Sequence, residues 1–194
     1  LINAFLKSSD TMIVQTKSMK KNISSLKPKN KIEIQSNYWK KLKLGSYSDH
    51  VIKNTSNETN KFLIQQIKDL SKTNKIYFYP SSFDPHKNHK RLFKAFNELK
   101  NVSTKDIKLI VSIDKYKVPL PYRNNELIFF IGNQPIFLIN QLYKIADFLI
   151  FPSLNESLGL PLIEASLYKL PIIASNLDYV FDVCKPLSTF DPLS

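Results

Sequence analysis

Cysteine is almost absent. Cys184 stands alone, which excludes a disulfide framework and a cysteine-built metal site within one chain. Glycine is nearly as scarce: Gly45, Gly132 and Gly159 are the only three. They cannot make a G-x-G-x-x-G turn or a P-loop, which argues against a dinucleotide oxidoreductase and a P-loop NTPase. There is no G-x-S-x-G elbow, and no Asp-x-Asp pair to hold a divalent ion against a diphosphate. No run reaches the ~18 apolar residues of a spanning helix, and residues 1–20 do not read as a signal peptide. Acidic residues are few, 16 against 28 basic, for a net charge of +12. That excess fits an anionic partner such as a nucleotide, nucleic acid or acidic lipid. It fits equally a lysine-loaded surface encoded by an AT-rich gene. Hydrophobic residues are ample, at 43%, enough for a core and too many for a disordered tail. A length of 194 residues suits one domain, or one domain plus a piece of another. The start at Leu1 and the end at Pro192-Leu193-Ser194 lead us to expect a piece of a longer protein.

Hydrophobic patterning predicts an alternating series of strands and helices. Residues 2–8 read as the end of a helix, 11–16 as a strand, 17–25 as a helix and 31–36 as a half-buried strand. Periodicity then fades, and Gly45, Ser46, Ser48, Asn54, Ser56 and Asn57 mark a loop or linker over 38–60. Lys27, Lys29, Lys31, Lys40, Lys41 and Lys43, with Trp39, form a basic cluster that can touch RNA or a membrane surface. A solvated face explains the cluster as well. Beyond residue 60 the expected order is helix 60–72, strand 75–79, helix 88–100, strand 107–113 and strand 127–131. A helix from Gly132 to about Lys144, strand 148–151, a helix from Pro161 and strand 171–174 follow. Near-continuous apolar strands alternating with helices indicate an α/β fold, a Rossmann-like parallel sheet with helices on both faces.

Three loops carry the candidate chemistry. Between strand 148–151 and the helix at Pro161 lie Glu156-Ser157-Leu158-Gly159, with Glu164 just inside the helix. Pro161 suits a first helical position, and free N–H groups at such a junction attract anions. A carboxylate there can accept hydrogen bonds from sugar or ribose hydroxyls. The N–H groups of Ser157, Leu158 and Gly159 can hold phosphate or hydroxyl oxygens, and Gly159 removes a Cβ where a ligand would approach. The plain alternative is that Glu164 complements the helix dipole and Glu156 is solvated. The second loop is Ser81 to Arg91, where Lys87 at a helix start offers a point charge for a diphosphate. Its alternative is a surface lysine. His86 and His89 have the spacing of a metal pair, but no carboxylate or cysteine set completes it, so no metal is expected. In the third loop Gly132 and Asn133 can line a nucleobase pocket, or simply make a tight turn.

The stretch Ala146 to Ala165 resembles the signature of retaining glycosyltransferase family 4, in the GT-B superfamily. Glu156 and Glu164 match its Glu-x7-Glu spacing. Pro152-Ser153 before them, Pro171 to Asn176 after them and Phe190-Asp191-Pro192 match in order. Pro85-His86-Lys87-Asn88 through Phe96 resembles the donor-phosphate loop and its helix, and Gly132 to Tyr143 the segment after the nucleotide-facing strand. Ser9 to Met19 is similar to the last strand and helix of a GT-B N-terminal domain. The resemblance therefore implies the C-terminal half of a GT-B fold. Residues 1–37 would be the tail end of the N-terminal domain, 38–60 a linker, and 61–194 a nucleotide-sugar-binding domain without its last helices.

The function implied is transfer of a sugar from a UDP- or GDP-linked donor to a glycan or lipid-linked acceptor, with retention of configuration and without metal or other cofactor. By matched position, Lys87 and Ser82 would bind the diphosphate and Glu156 the sugar, with Ser157, Leu158 and Gly159. Glu164 would bind the ribose, and Gly132 and Asn133 would line the base. The resemblance implies that the acceptor site and the usual catalytic histidine would belong to the N-terminal domain, most of which is expected to lie outside this sequence. The family's Gly-Arg after the first strand is replaced by Ser81-Ser82, which removes one expected phosphate cation. A role in bacterial surface polysaccharide or lipopolysaccharide synthesis is the expectation, with a cytoplasmic protein and room for peripheral association with an anionic membrane. A nucleic-acid partner is not expected. The alternative is an inactive remnant or scaffold that keeps the fold without catalysis.

Overall fold

The computed structural model describes residues 10–26, 31–35, 58–99 and 106–194. The helix read at 2–8, and most of the 38–60 stretch and its lysine cluster, lie outside the described residues. Within the cluster Lys31 is described, and it pairs with Glu33 at 2.6 Å on the surface.

Residues 10–35 form a small unit. Strand β1 (Thr11–Val14) leads through Thr16 into helix α1 (Lys17–Ser24), and β2 (Lys31–Ile34) returns parallel to β1. Thr16 caps α1 by accepting from the Met19 N–H at 3.2 Å, the usual work of a threonine at that position. β2 is shorter than the 31–36 expected, and only Ile32 in it is even half-buried.

The main body begins with α2 (Glu58–Ser71), whose first turn falls inside the stretch read as a linker. Then come β3 (Lys75–Tyr79), a 3₁₀ turn (Pro85–Lys87), α3 (His89–Leu99), β4 (Ile107–Val111), a second 3₁₀ turn (Lys115–Lys117), and the short α4 (Leu120–Arg123). β5 (Ile128–Phe130), α5 (Ile136–Ile145), β6 (Phe148–Phe151), α6 (Leu160–Leu167), β7 (Ile172–Ser175), α7 (Asp178–Val183) and β8 (Ser188–Phe190) complete it. The six strands β3 to β8 make one sheet in the order β5-β4-β3-β6-β7-β8, with every pairing parallel.

Successive side chains of β3 divide between the two layers, as strand geometry requires. Tyr77 meets Phe96 edge-on and Tyr79 lies on His89, both from α3. Phe78 points the other way, onto Tyr143 of α5. α3 buries His89, Leu92, Phe93 and Phe96, a stripe of one helical face, and α5 buries Phe137, Leu138, Ile139, Leu142 and Tyr143. Helices therefore cover both faces of a parallel, Rossmann-like sheet. Among the described residues no helix is long and apolar enough to cross a membrane.

The strand order fixes where a ligand can sit. From β3 the chain steps outward through β4 to β5; it then returns to the centre and steps through β6, β7 and β8 the other way. The crevice where the direction reverses opens at the C-terminal ends of β3 and β6, the usual ligand position in such sheets. The loops 80–88 and 152–159 follow directly on those two strand ends. Asp147 pins the other end of this strand pair, bonding the Ile76 N–H at 2.9 Å and Lys75 Nζ at 2.8 Å.

Candidate donor-binding site

Two residues 69 positions apart meet at that crevice. Lys87 Nζ lies 2.7 Å from Glu156 Oε1, with only 15% and 9% of the two side chains exposed. Water therefore screens this pair far less than a surface pair.

A hydroxyl relay beneath the pair holds both partners. Ser153 Oγ, fully buried, donates to Glu156 Oε1 at 2.6 Å. The Tyr79 hydroxyl donates to the Lys87 carbonyl at 2.8 Å and lies 3.1 Å from Ser153 Oγ. Tyr179 from α7 donates to the Ser153 carbonyl at 2.7 Å. Burial pushes both phenols well above their ordinary range, so they remain neutral donors. The Leu154 N–H reaches the His86 carbonyl at 2.8 Å and joins the two loops directly. Asn88 adds a third loop. Its left-handed backbone, φ 60°, turns its amide onto the Pro152 and Pro192 carbonyls at 3.1 and 2.8 Å. Asparagine tolerates that conformation better than most residues.

The other expected residues are placed less simply. Ser157 is exposed and Leu158 buried, and the Ser157 carbonyl accepts from Thr16 Oγ1 at 3.4 Å, which sets the β1–α1 turn against this loop. Helix α6 starts at Leu160, so Pro161 takes the second helical position; Gly159 is the cap residue and no side chain caps the helix. Glu164 is half-buried and accepts from the Tyr143 hydroxyl at 2.7 Å. Burial and the neighbouring carboxylate both push that phenol upward. Glu164 is thus anchored through α5, apart from the relay that holds Glu156. Ser82 is exposed and its hydroxyl is engaged by the Asp84 carboxylate. The His86-x-x-His89 pair is split: His86 is exposed, while His89 is buried with Nε2 2.9 Å from Ser81 Oγ. Among the described residues no three of His, Cys, Asp and Glu group as a metal site requires.

One glycine reading needs correction. The missing Cβ of Gly159 faces the interior, not a ligand. A Cβ there would sit 3.0 Å from Leu162 Cδ1 and 3.7 Å from Phe151, on a backbone at φ +70°. Gly159→Ala should therefore destabilise the fold by about 1–2 kcal/mol through the left-handed backbone alone, measured by urea denaturation. An unchanged midpoint would show that the loop refolds around the methyl. Gly132, also at φ +69°, spends its N–H on the Ile113 carbonyl at 3.1 Å. The Gly132 carbonyl and the exposed Asn133 beside it remain the candidate contacts for a base.

Reading the residues assigns no role to Tyr79, Ser153, Tyr179, Asn88 or Tyr143. A hydroxyl at the buried last position of β3, Tyr79, and the serine two residues after β6 are the available signals. Each needs a polar partner once buried.

A family model described as glycosyl transferases group 1 matches residues 60–189. No curated protein matches the chain. Among solved structures, a UDP-forming alpha,alpha-trehalose-phosphate synthase from Burkholderia vietnamiensis is 11% identical with a TM-score of 0.68, covering 99% of this chain and 53% of that one. The sucrose-phosphate synthase of Thermosynechococcus elongatus is 17% identical, TM-score 0.61, covering 90% and 42%. WaaG, a glycosyltransferase involved in lipopolysaccharide biosynthesis, is 18% identical, TM-score 0.58, covering 86% and 45%. The chain spans about half, or less, of the length of these structures. At such identities the likeness is one of fold.

Proposed function

We propose, for a chain that belongs to the glycosyl transferases group 1 family, that its crevice binds the nucleotide-sugar donor of a retaining, family 4 type glycosyltransferase. The observation that carries this reading is the Lys87–Glu156 pair, set 2.7 Å apart at the switch point of the sheet. A diphosphate entering there offers Lys87 a better-charged partner than one carboxylate oxygen, and the N–H groups of Ser157, Leu158 and Gly159, just ahead of α6, would add donors. Glu156, freed from Lys87 and still held by Ser153, would accept from hydroxyls of the sugar. Glu164 would receive the ribose, with Tyr143 orienting its carboxylate, and Asn133 would lie by the base.

During transfer the bond from the anomeric carbon to the diphosphate breaks. The acceptor oxygen bonds that carbon from the same face and passes its proton to the departing phosphate oxygen. Lys87 would meet the charge that develops on the leaving group without a metal ion. The acceptor, glycan or lipid-linked, would be placed by a partner half of the fold, in the synthesis of a bacterial surface polysaccharide. Peripheral contact with an anionic membrane is compatible with a lipid-linked acceptor. One feature favours the second reading, an inactive remnant: Ser82 faces Asp84 where the family carries a cation.

Calorimetric titration with UDP and GDP separates the two. The trehalose-phosphate synthase neighbour is UDP-forming, which makes UDP the first nucleotide to test. Saturable binding without divalent metal, weakened about tenfold by Glu164→Ala, is the expected result. A tenfold loss is the size of one hydrogen bond to a charged group, about 1.4 kcal/mol. Absence of any binding by either nucleotide supports the remnant.

A further inference from the structure

We infer that Asp182 is a positioning residue for the loop that carries Glu156, and that it does this by tying helix α7 to helix α1. Its carboxylate Oδ2 accepts from the Ser18 N–H at 2.7 Å, across 164 positions of the chain. Ser18 stands in the first turn of α1, where the N–H groups have no partner within the helix. An anionic acceptor there makes a charge-assisted bond that the helix dipole favours. Both residues are half-buried, so water competes with this bond less than at an open surface.

A second link between the same helices is weaker. Lys21 Nζ lies 3.3 Å from Asp178 Oδ2, but those side chains are 78% and 74% exposed, and such pairs contribute little. Asp182 is therefore the stronger tie.

Helix α7 carries that tie to the crevice. It has six residues and no side-chain cap, too short to hold its place by its own backbone. Its side chains hold it instead. Val180 is fully buried, and Tyr179, 4% exposed, donates to the Ser153 carbonyl at 2.7 Å. Ser153 in turn holds Glu156 at 2.6 Å. Tyr179 and Asp182 are three apart in the sequence, so they are neighbours on one turn of the helix. The bond to α1 and the bond to the Glu156 loop thus grip the same turn.

Thr16 offers a shorter route beside this one. It is 2% exposed, caps α1, and reaches the Ser157 carbonyl at 3.4 Å. That distance is beyond the usual hydrogen-bond range, so Thr16 places the loop more than it holds it. Lys87 is held from the other loop, by Tyr79. Loss of the Asp182 bond should therefore shift Glu156 more than Lys87. Only the consequence for the sugar rests on the donor-site reading; the holding of the loop does not.

Amide hydrogen exchange of the nucleotide-free chain, read by NMR, tests the holding role. The Leu154 N–H, bonded to the His86 carbonyl, reports on the loop, and the Ile131 N–H, bonded to the Val111 carbonyl, reports on the sheet. Asp182→Ala should speed exchange at Leu154 about tenfold and leave Ile131 unchanged. Asp182→Asn, whose side-chain oxygen still accepts from Ser18, should restore most of the protection. Tyr179→Phe should also speed Leu154, and Asp182→Ala added to it should change little more, since the two contacts act in series. Faster exchange at Ser18 with Leu154 unchanged overturns the proposal and leaves Asp182 as a cap for α1. Equal acceleration of Leu154 and Ile131, or additive effects of the two substitutions, overturns it as well. Titration with UDP and UDP-glucose, and with GDP and GDP-mannose, then reads the sugar end. Asp182→Ala should weaken the nucleotide sugar that binds by about fivefold, and its nucleotide by less than about twofold. Equal weakening of the two overturns action through Glu156. If the wild type binds none of the four while Leu154 responds as expected, the donor-site reading fails and the positioning role stands.

Discussion

Lys87→Met is expected to weaken binding of a nucleoside diphosphate by about 2–5 kcal/mol, the range for truncating one member of a desolvated charge contact. Two effects act together. On the proposed reading the diphosphate would lose its cation, and Glu156, only 9% exposed, would become an unpaired negative charge where the diphosphate would enter. The same substitution should lower stability, since removing one partner from a buried ion pair costs about 3–5 kcal/mol. The partial exposure of both side chains and the Ser153 hydrogen bond place the expected loss at the lower end of that range. Combining Lys87→Met with Glu156→Gln removes the stranded charge. The double variant should regain most of the stability but none of the affinity, because a neutral pair offers nothing to a diphosphate. Urea denaturation and calorimetry on the same preparations separate the two. Recovery of nucleotide affinity in the double variant would show that Lys87 acts only by neutralising Glu156.

Acid is expected to destabilise the fold through His89. Burial first, and the Lys87 charge second, lower its pKa from 6.5 to about 4. Its ring is 3% exposed, and Nδ1 has no hydrogen-bond partner. The folded state holds the ring neutral, whereas the unfolded chain takes up a proton near pH 6.5. Between those two values the unfolded state therefore binds more protons, and stability falls as the pH drops. The contribution is fully present above about pH 6.5, and about 3 kcal/mol of it is gone by about pH 4. Subtracting the stability-versus-pH curve of His89→Phe from that of the wild type isolates this ring from the carboxylates. A difference curve that stays flat from pH 7 to 4 would mean that the ring gains water or a proton acceptor on acidification.

The strands best read from the sequence were those flanked by a sharp change in chemistry. β3 runs as Lys-Ile-Tyr-Phe-Tyr into Pro80 and β6 as Phe-Leu-Ile-Phe into Pro152, and both occur at the positions expected. β4 and β5 are shorter than their apolar runs: Ile113, Leu127 and Ile131 are buried just outside the strands, although the Leu127 carbonyl and the Ile131 N–H still bond β4. Hydrophobicity marks burial, which runs past the regular strand ends. α7 and β8 left no periodic signal. α7 has only six residues, and β8 is an edge strand of Ser-Thr-Phe with two exposed positions.

The candidate site was legible as two loops and a handful of charges. Its cross-links were not. The meeting of Lys87 with Glu156, of Tyr143 with Glu164, and of Asn88 with Pro152 and Pro192 spans 69, 21, 64 and 104 residues, distances over which spacing carries no information. The purpose of Gly159 was also hidden: its neighbours Leu162 and Phe151 explain it, and neither is a ligand.

The central claim is that a donor diphosphate takes the place of Glu156 beside Lys87. A crystal structure of the chain with a UDP-sugar tests it most directly. A phosphate oxygen is expected about 3 Å from Lys87 Nζ, with the Lys87–Glu156 contact parted and Glu156 turned to the sugar with its Ser153 bond kept. A nucleotide bound elsewhere on the molecule, with Lys87 and Glu156 still paired at 2.7 Å, would contradict it.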